Sequence, residues 1–158
     1  MRRLLPSGFA VFAGMVSLPG HISVNQTERV PVPDYRNDPR SHSIRRFFEK
    51  FECPAQEYAR AFVEIADTYN LDWRLLPSIS YVESTGGKTA PYNNMFGWDG
   101  GRARFPNAIA GIEQVASRLA NSELYRNKNV DQILATYNPV PEYVFKVKSV
   151  MRLMAAVE

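Results

Sequence analysis

Glu83 has the setting in this chain most suited to acid–base chemistry. It stands next to the end of the apolar segment Leu71 to Ser84, with Ser84 between it and Thr85-Gly86-Gly87. On a helix it would lie three and four residues from Ser80 and Ile79 and seven from Leu76, spacings that put its carboxyl on the inward face of the last turn. A carboxyl half-removed from water resists ionising, and the negative end of the helix dipole acts in the same direction. An acid kept protonated near neutral pH can donate to a departing oxygen, as breaking a glycosidic bond requires.

The elements around Glu83 are predicted from apolar periodicity. Ile44, Phe47, Phe48 and Phe51 follow a helical template after Ser43, which is expected to cap it. Pro54 fits the first position of a second helix with the stripe Tyr58, Phe62, Ile65 and Tyr69, ended by Asn70 in the left-handed conformation. Asp72 is expected to cap the third helix, with Pro77 bending it and Gly86 stopping it. Between Lys88 and Pro106 the periodicity is lost. Asp99-Gly100-Gly101 reads as a tight turn between Met95-Phe96-Gly97-Trp98 and Arg102-Ala103-Arg104-Phe105, in a small β-hairpin or an irregular loop. Helical spacing returns at Ile112, Val115, Ala116 and Leu119 behind Asn107. It continues from Val130 to Tyr137 behind the pair Asn129 and Gln132, which resembles a capping box. A last helix from about Glu142 to Ala156 carries the stripe Tyr143, Val147, Val150 and Met154, which makes Tyr143 a structural residue. The fold class is therefore mainly α, with about six helices and one excursion after the third.

Composition narrows the function. The 158 residues suit a single domain, and 45% hydrophobic with 12% aromatic residues argues for a folded globule. Cys53 is the single cysteine, and His21 and His42 are the two histidines, so no metal site and no cofactor is expected. Arg2 and Arg3 followed by the apolar run Leu4 to Leu18 read as an export signal over residues 1–23, with an uncleaved anchor in the membrane as the alternative. Residues 24–42, with Pro31, Pro33 and Pro39, read as a flexible spacer, and 43–158 as the domain. Loss of Arg2 and Arg3 would lower the formal charge from +3 to +1, and no basic patch with interleaved aromatics suggests nucleic acid.

The order Glu83-Ser84, then Asn93-Asn94-Met95-Phe96-Gly97, then Tyr137 before the final helix resembles the lysozyme superfamily. Within it, the chain most resembles bacterial glucosaminidase modules that cut peptidoglycan, over roughly Pro54 to Met154. The resemblance implies a lysozyme-like domain, exported to the periplasm or beyond, acting as a monomer on peptidoglycan glycan strands. It implies Glu83 as catalytic acid, Asn94, Phe96 and Gly97 as the wall of a sugar cleft, and Tyr137 and Asn138 as an aromatic and polar pair on the opposite wall. It also implies Tyr137 as catalytic, its hydroxyl stabilising charge at the anomeric carbon or orienting the acetamido group. Ser84 and Trp98 complete the expected substrate contacts. Two features depart from the family: Thr85-Gly86-Gly87 stands where an aromatic often follows, and Thr136-Tyr137-Asn138-Pro139 is closer to lytic transglycosylases. Three readings therefore stay open: glycosidase, transglycosylase, or a silent glycan-binding domain. The group that attacks the sugar is equally open. Asp99 is the nearest second carboxylate in the sequence but reads more naturally as a turn residue, and the substrate's own acetamido group is the other choice.

Overall fold

Six helices bury their apolar stripes in one mainly α domain, described by the computed structural model over residues 33–156. They are α1 (Pro39–Lys50), α2 (Ala59–Thr68), α3 (Leu75–Ser84), α4 (Ala108–Asn121), α5 (Val130–Tyr137) and α6 (Pro141–Ala155). Short 3-10 turns stand at Tyr35–Asn37, Pro54–Tyr58 and Pro91–Asn93, and the described residues contain no strand. Phe47, Phe48, Phe62, Leu76, Ile79, Ile112, Leu119, Leu134 and Met154 are wholly enclosed and form the centre of the core. Among the described residues no helix is long and apolar enough to cross a membrane. The expected signal over 1–23 lies outside the described residues.

Several termini fall where side-chain chemistry places them. Asn107 accepts the Ala110 amide at 2.8 Å, and Asn129 and Gln132 form a full capping box. Asn70 has φ 52°, in the left-handed region. Two expected caps are corrected. Helix α1 begins four residues before Ser43, with Asp38 as N-cap and Pro39 at the first position, so the end of the expected spacer is helical. Arg40 then bridges Asp38 at 2.8 Å and Asp67 of α2 at 2.7 Å, which docks the start of α1 on α2 and holds the Asp38 carboxyl below its usual range. Asp72 does not cap α3. Its carboxylate turns back onto the Arg74 amide and guanidinium, and the helix starts three residues on, at Leu75.

That later start also removes the expected conflict at Pro77. Pro77 occupies the third helical position, where a backbone N–H has no helical acceptor in any case. Ser78 makes the first such bond, its amide donating to the Arg74 carbonyl at 3.1 Å. Every residue from Leu75 to Ser80 is buried, as befits a helix surrounded by others.

Helix α3 stops abruptly. Thr85 takes φ 52°, and Gly86 follows at φ 60° with its amide donating to the Ser80 carbonyl at 3.1 Å, a six-to-one closure of the helix end. A left-handed β-branched residue is strained by about 1–3 kcal/mol, so this exit is held by its surroundings. Gly86 is pressed into them: a Cβ there would lie 2.8 Å from the Cys53 Cβ and 2.9 Å from the Phe48 ring. Gly86→Ala is expected to lower stability by about 2–4 kcal/mol, combining left-handed strain with overpacking. A denaturant melt with an unshifted midpoint would contradict this account of the α3 exit.

Candidate active site

The segment from Thr85 to Asn107 folds back over the end of α3 without forming the hairpin that was one expectation. It is a chain of turns, with Ala103 donating to the Trp98 carbonyl at 3.3 Å and Gly101 to the Gly97 carbonyl at 2.9 Å. Asp99, Gly100 and Gly101 all have positive φ, as a tight turn demands. Three polar side chains hold this loop. The buried Ser84 hydroxyl donates to the Met95 carbonyl at 2.8 Å and accepts the Gly87 amide at 3.0 Å. Asn94, only 2% exposed, clamps the backbone of Trp98 through both ends of its amide, at 2.9 and 3.0 Å. Asn93 donates to the Phe105 carbonyl at 2.9 Å.

This framework delivers Gly97 to the Glu83 carboxyl. Gly97 has φ 60°, and a Cβ on it would lie 2.7 Å from the Glu83 Oε2. The other carboxyl oxygen, Oε1, accepts a hydrogen bond from the Tyr143 phenol at 2.7 Å. Glu83 is half-buried, and among the described residues it has no ion pair. Tyr143 stacks in parallel on Tyr137, with ring centroids 6.0 Å apart and planes 4° from parallel. The Tyr137 phenol donates to the Phe96 carbonyl at 2.5 Å, fastening α5 to the loop. Both phenols are pushed well above their usual range. For Tyr137 the causes are burial and then the Glu83 charge; for Tyr143 they are burial and then the hydrogen bond to Glu83. Both shifts favour the neutral, protonated phenol.

Beside Gly97 lies an open hollow of about 510 Å³. Trp98, Tyr125 and Tyr137 supply its aromatic wall, with Trp98 edge-on to Tyr137 at 5.6 Å. Glu83 does not line this hollow. It meets it only through Gly97, which borders the hollow and touches the carboxylate.

The structure thus gathers Glu83, Gly97, Trp98 and Tyr137 in one place. The remaining expected contacts are used internally. The Phe96 ring is wholly enclosed, and the Ser84 and Asn94 side chains are spent on the backbone of the loop. Asn138, at the end of α5, accepts the Val140 amide at 3.0 Å. Asp99 is exposed and paired with Arg102 at 2.8 Å across the turn, which holds its carboxyl below the usual range. Tyr143 is the partner of Glu83 that its apolar stripe concealed, 60 residues away in the chain. No family model and no curated protein sequence matches the chain.

Asn94→Ala would leave the Trp98 amide without its acceptor inside the loop. The expected cost is about 1–3 kcal/mol, accompanied by a red shift of Trp98 fluorescence as the turn loosens. An unchanged melt and spectrum would show that the amide does not hold the loop.

Proposed function

We propose that this protein is a lysozyme-like glycosidase that cleaves the β-1,4-linked glycan of peptidoglycan, with Glu83 as the general acid. The observation that carries the reading is the carboxyl of Glu83, held by the neutral Tyr143 phenol beside a side-chain-free Gly97, next to a hollow walled by aromatic rings. A saccharide presents flat apolar faces to such rings, and sites of this kind take mainly aromatic contact with a few placed polar groups. The resemblance in the order Glu83-Ser84, Asn94-x-Phe96-Gly97 and Tyr137 supplies the substrate class.

In this mechanism the sugar lies along Trp98 and Tyr137, with the scissile bond at the Gly97 end. Glu83 protonates the departing oxygen as positive charge develops at the anomeric carbon. Tyr143 fixes the carboxyl through Oε1, and Oε2 lies on the Gly97 side, where the scissile bond would have to approach it. Because the Tyr137 proton is committed to the Phe96 carbonyl, Tyr137 acts through its ring and through the lone pairs of its oxygen. Asp99 is engaged by Arg102 on the exposed turn, which favours a nucleophile supplied by the substrate over a second carboxylate. The same feature supports the second reading, a lytic transglycosylase in which a 6-hydroxyl of the glycan attacks and Glu83 serves as acid and then as base. Export, by the segment expected over residues 1–23, would bring either enzyme to its substrate.

Digestion of purified peptidoglycan, with mass spectrometry of the new ends, tests the proposal. New reducing N-acetylglucosamine ends are expected, with turnover falling roughly a hundredfold or more in Glu83→Gln. 1,6-Anhydro ends would establish the transglycosylase instead. Unchanged glycan, or full activity in Glu83→Gln, would overturn the assignment of Glu83.

A further inference from the structure

The hollow beside Gly97 continues past Trp98. A second hollow of about 240 Å³ adjoins it, bordered by Arg104, Phe105 and Gln114, and Trp98, Ala103 and Arg118 border both. The two neighbouring hollows share these three residues, and their combined lining, the groove, runs from Tyr137 by way of Trp98 to Arg104. Each hollow is within or near the size common for small-molecule sites. Its charges do not balance. The single carboxylate on its walls, Asp99, is neutralised by Arg102 at 2.8 Å. Arg104 and Arg118 are both exposed, and among the described residues neither is ion-paired. The Arg104 guanidinium carbon sits over the Tyr92 ring, 3.6 Å from its centroid, a contact that restricts the orientations of its donors. Arg118 projects from α4 at the junction of the two hollows, beside the aromatic wall.

A guanidinium offers a rigid fork of donors matched to a carboxylate, and here two of them flank a surface suited to sugar rings. We infer that Arg118, with Arg104 beyond it, forms a carboxylate-binding subsite, so that the groove selects an acidic saccharide over a neutral one. The inference rests on the glycan-cleft reading and sharpens it. On peptidoglycan the carboxylate has two sources: the lactyl ether of a muramyl sugar stripped of its peptide, or the stem peptide itself.

Calorimetric binding to the Glu83→Gln protein distinguishes these, using three oligosaccharides of equal length. One is neutral chitooligosaccharide, one a peptide-free peptidoglycan strand with free lactyl carboxylates, and one the same strand carrying stem peptides. An acidic strand is expected to bind about tenfold more tightly than the neutral one, allowing for the exposure of the arginines, and to lose that preference at high salt. Arg118→Ala should remove the preference, so that acidic and neutral strands bind that variant alike and the acidic strand loses more affinity than the neutral one, while Arg118→Lys keeps part of the preference. Tighter binding of the peptide-free strand assigns the lactyl group; tighter binding of the peptide-bearing strand assigns the stem. Equal binding of neutral and acidic strands overturns the subsite alone, as does an Arg118→Ala variant that weakens both alike or neither. Failure of all three saccharides to bind overturns the glycan cleft and the subsite with it.

Discussion

The Ser84 hydroxyl ties the exit of α3 to the loop that follows, and the arrangement of the site depends on that tie. A buried carbonyl such as that of Met95 needs a donor, and Ser84 supplies it while also accepting the Gly87 amide. With Met95 anchored, Phe96 enters the core as a wholly enclosed ring and Gly97 comes to rest on the Glu83 carboxyl. The left-handed pair Thr85 and Gly86 makes the reversal possible by turning the chain sharply off the helix end. The contacts that close the core over α3 are thus the same contacts that position its last carboxyl.

The partner of that carboxyl differs from the partners of three aspartates in the molecule. Asp38, Asp72 and Asp99 each face an arginine, which stabilises the ionised form. Glu83 faces a phenol instead. The phenol orients the carboxyl through Oε1 without placing a counter-charge beside it. Tyr143 is itself held by its stack on Tyr137, which is held in turn by Phe96. The orientation of Glu83 is therefore determined jointly by α6, α5 and the loop.

Much of the fold was legible in the sequence because it rests on local rules. The stripes from Phe47 to Met154 lie in the core or, at Phe51, Tyr58 and Tyr69, pack against it, and Asn70, Asn107 and Asn129 terminate or cap helices as their side chains allow. The errors came from polar segments, where competing partners decide. The first turn of α1 carries no apolar stripe, so Asp38 and Pro39 passed for spacer, and Asp72 preferred Arg74 to the helix. At the site, Glu83 was visible as an acid on an inward face. The uses of Ser84 and Asn94 were not, because their partners are backbone atoms of a loop with no periodicity. Tyr143 was hidden for another reason: a tyrosine on an apolar stripe looks like core until its phenol is seen to reach a carboxyl.

The bare backbone of Gly97 leaves the Glu83 carboxyl the position it holds. In Gly97→Ala the new methyl group would meet Oε2 at 2.7 Å, and the side chain, being flexible, would swing away instead of unfolding the protein. Stability and chemistry should then separate. Gly97→Ala is expected to lose about 1–2 kcal/mol from left-handed strain and, if Glu83 is the general acid proposed above, at least a roughly tenfold share of turnover on peptidoglycan. Wild-type turnover in a folded Gly97→Ala protein would contradict this account.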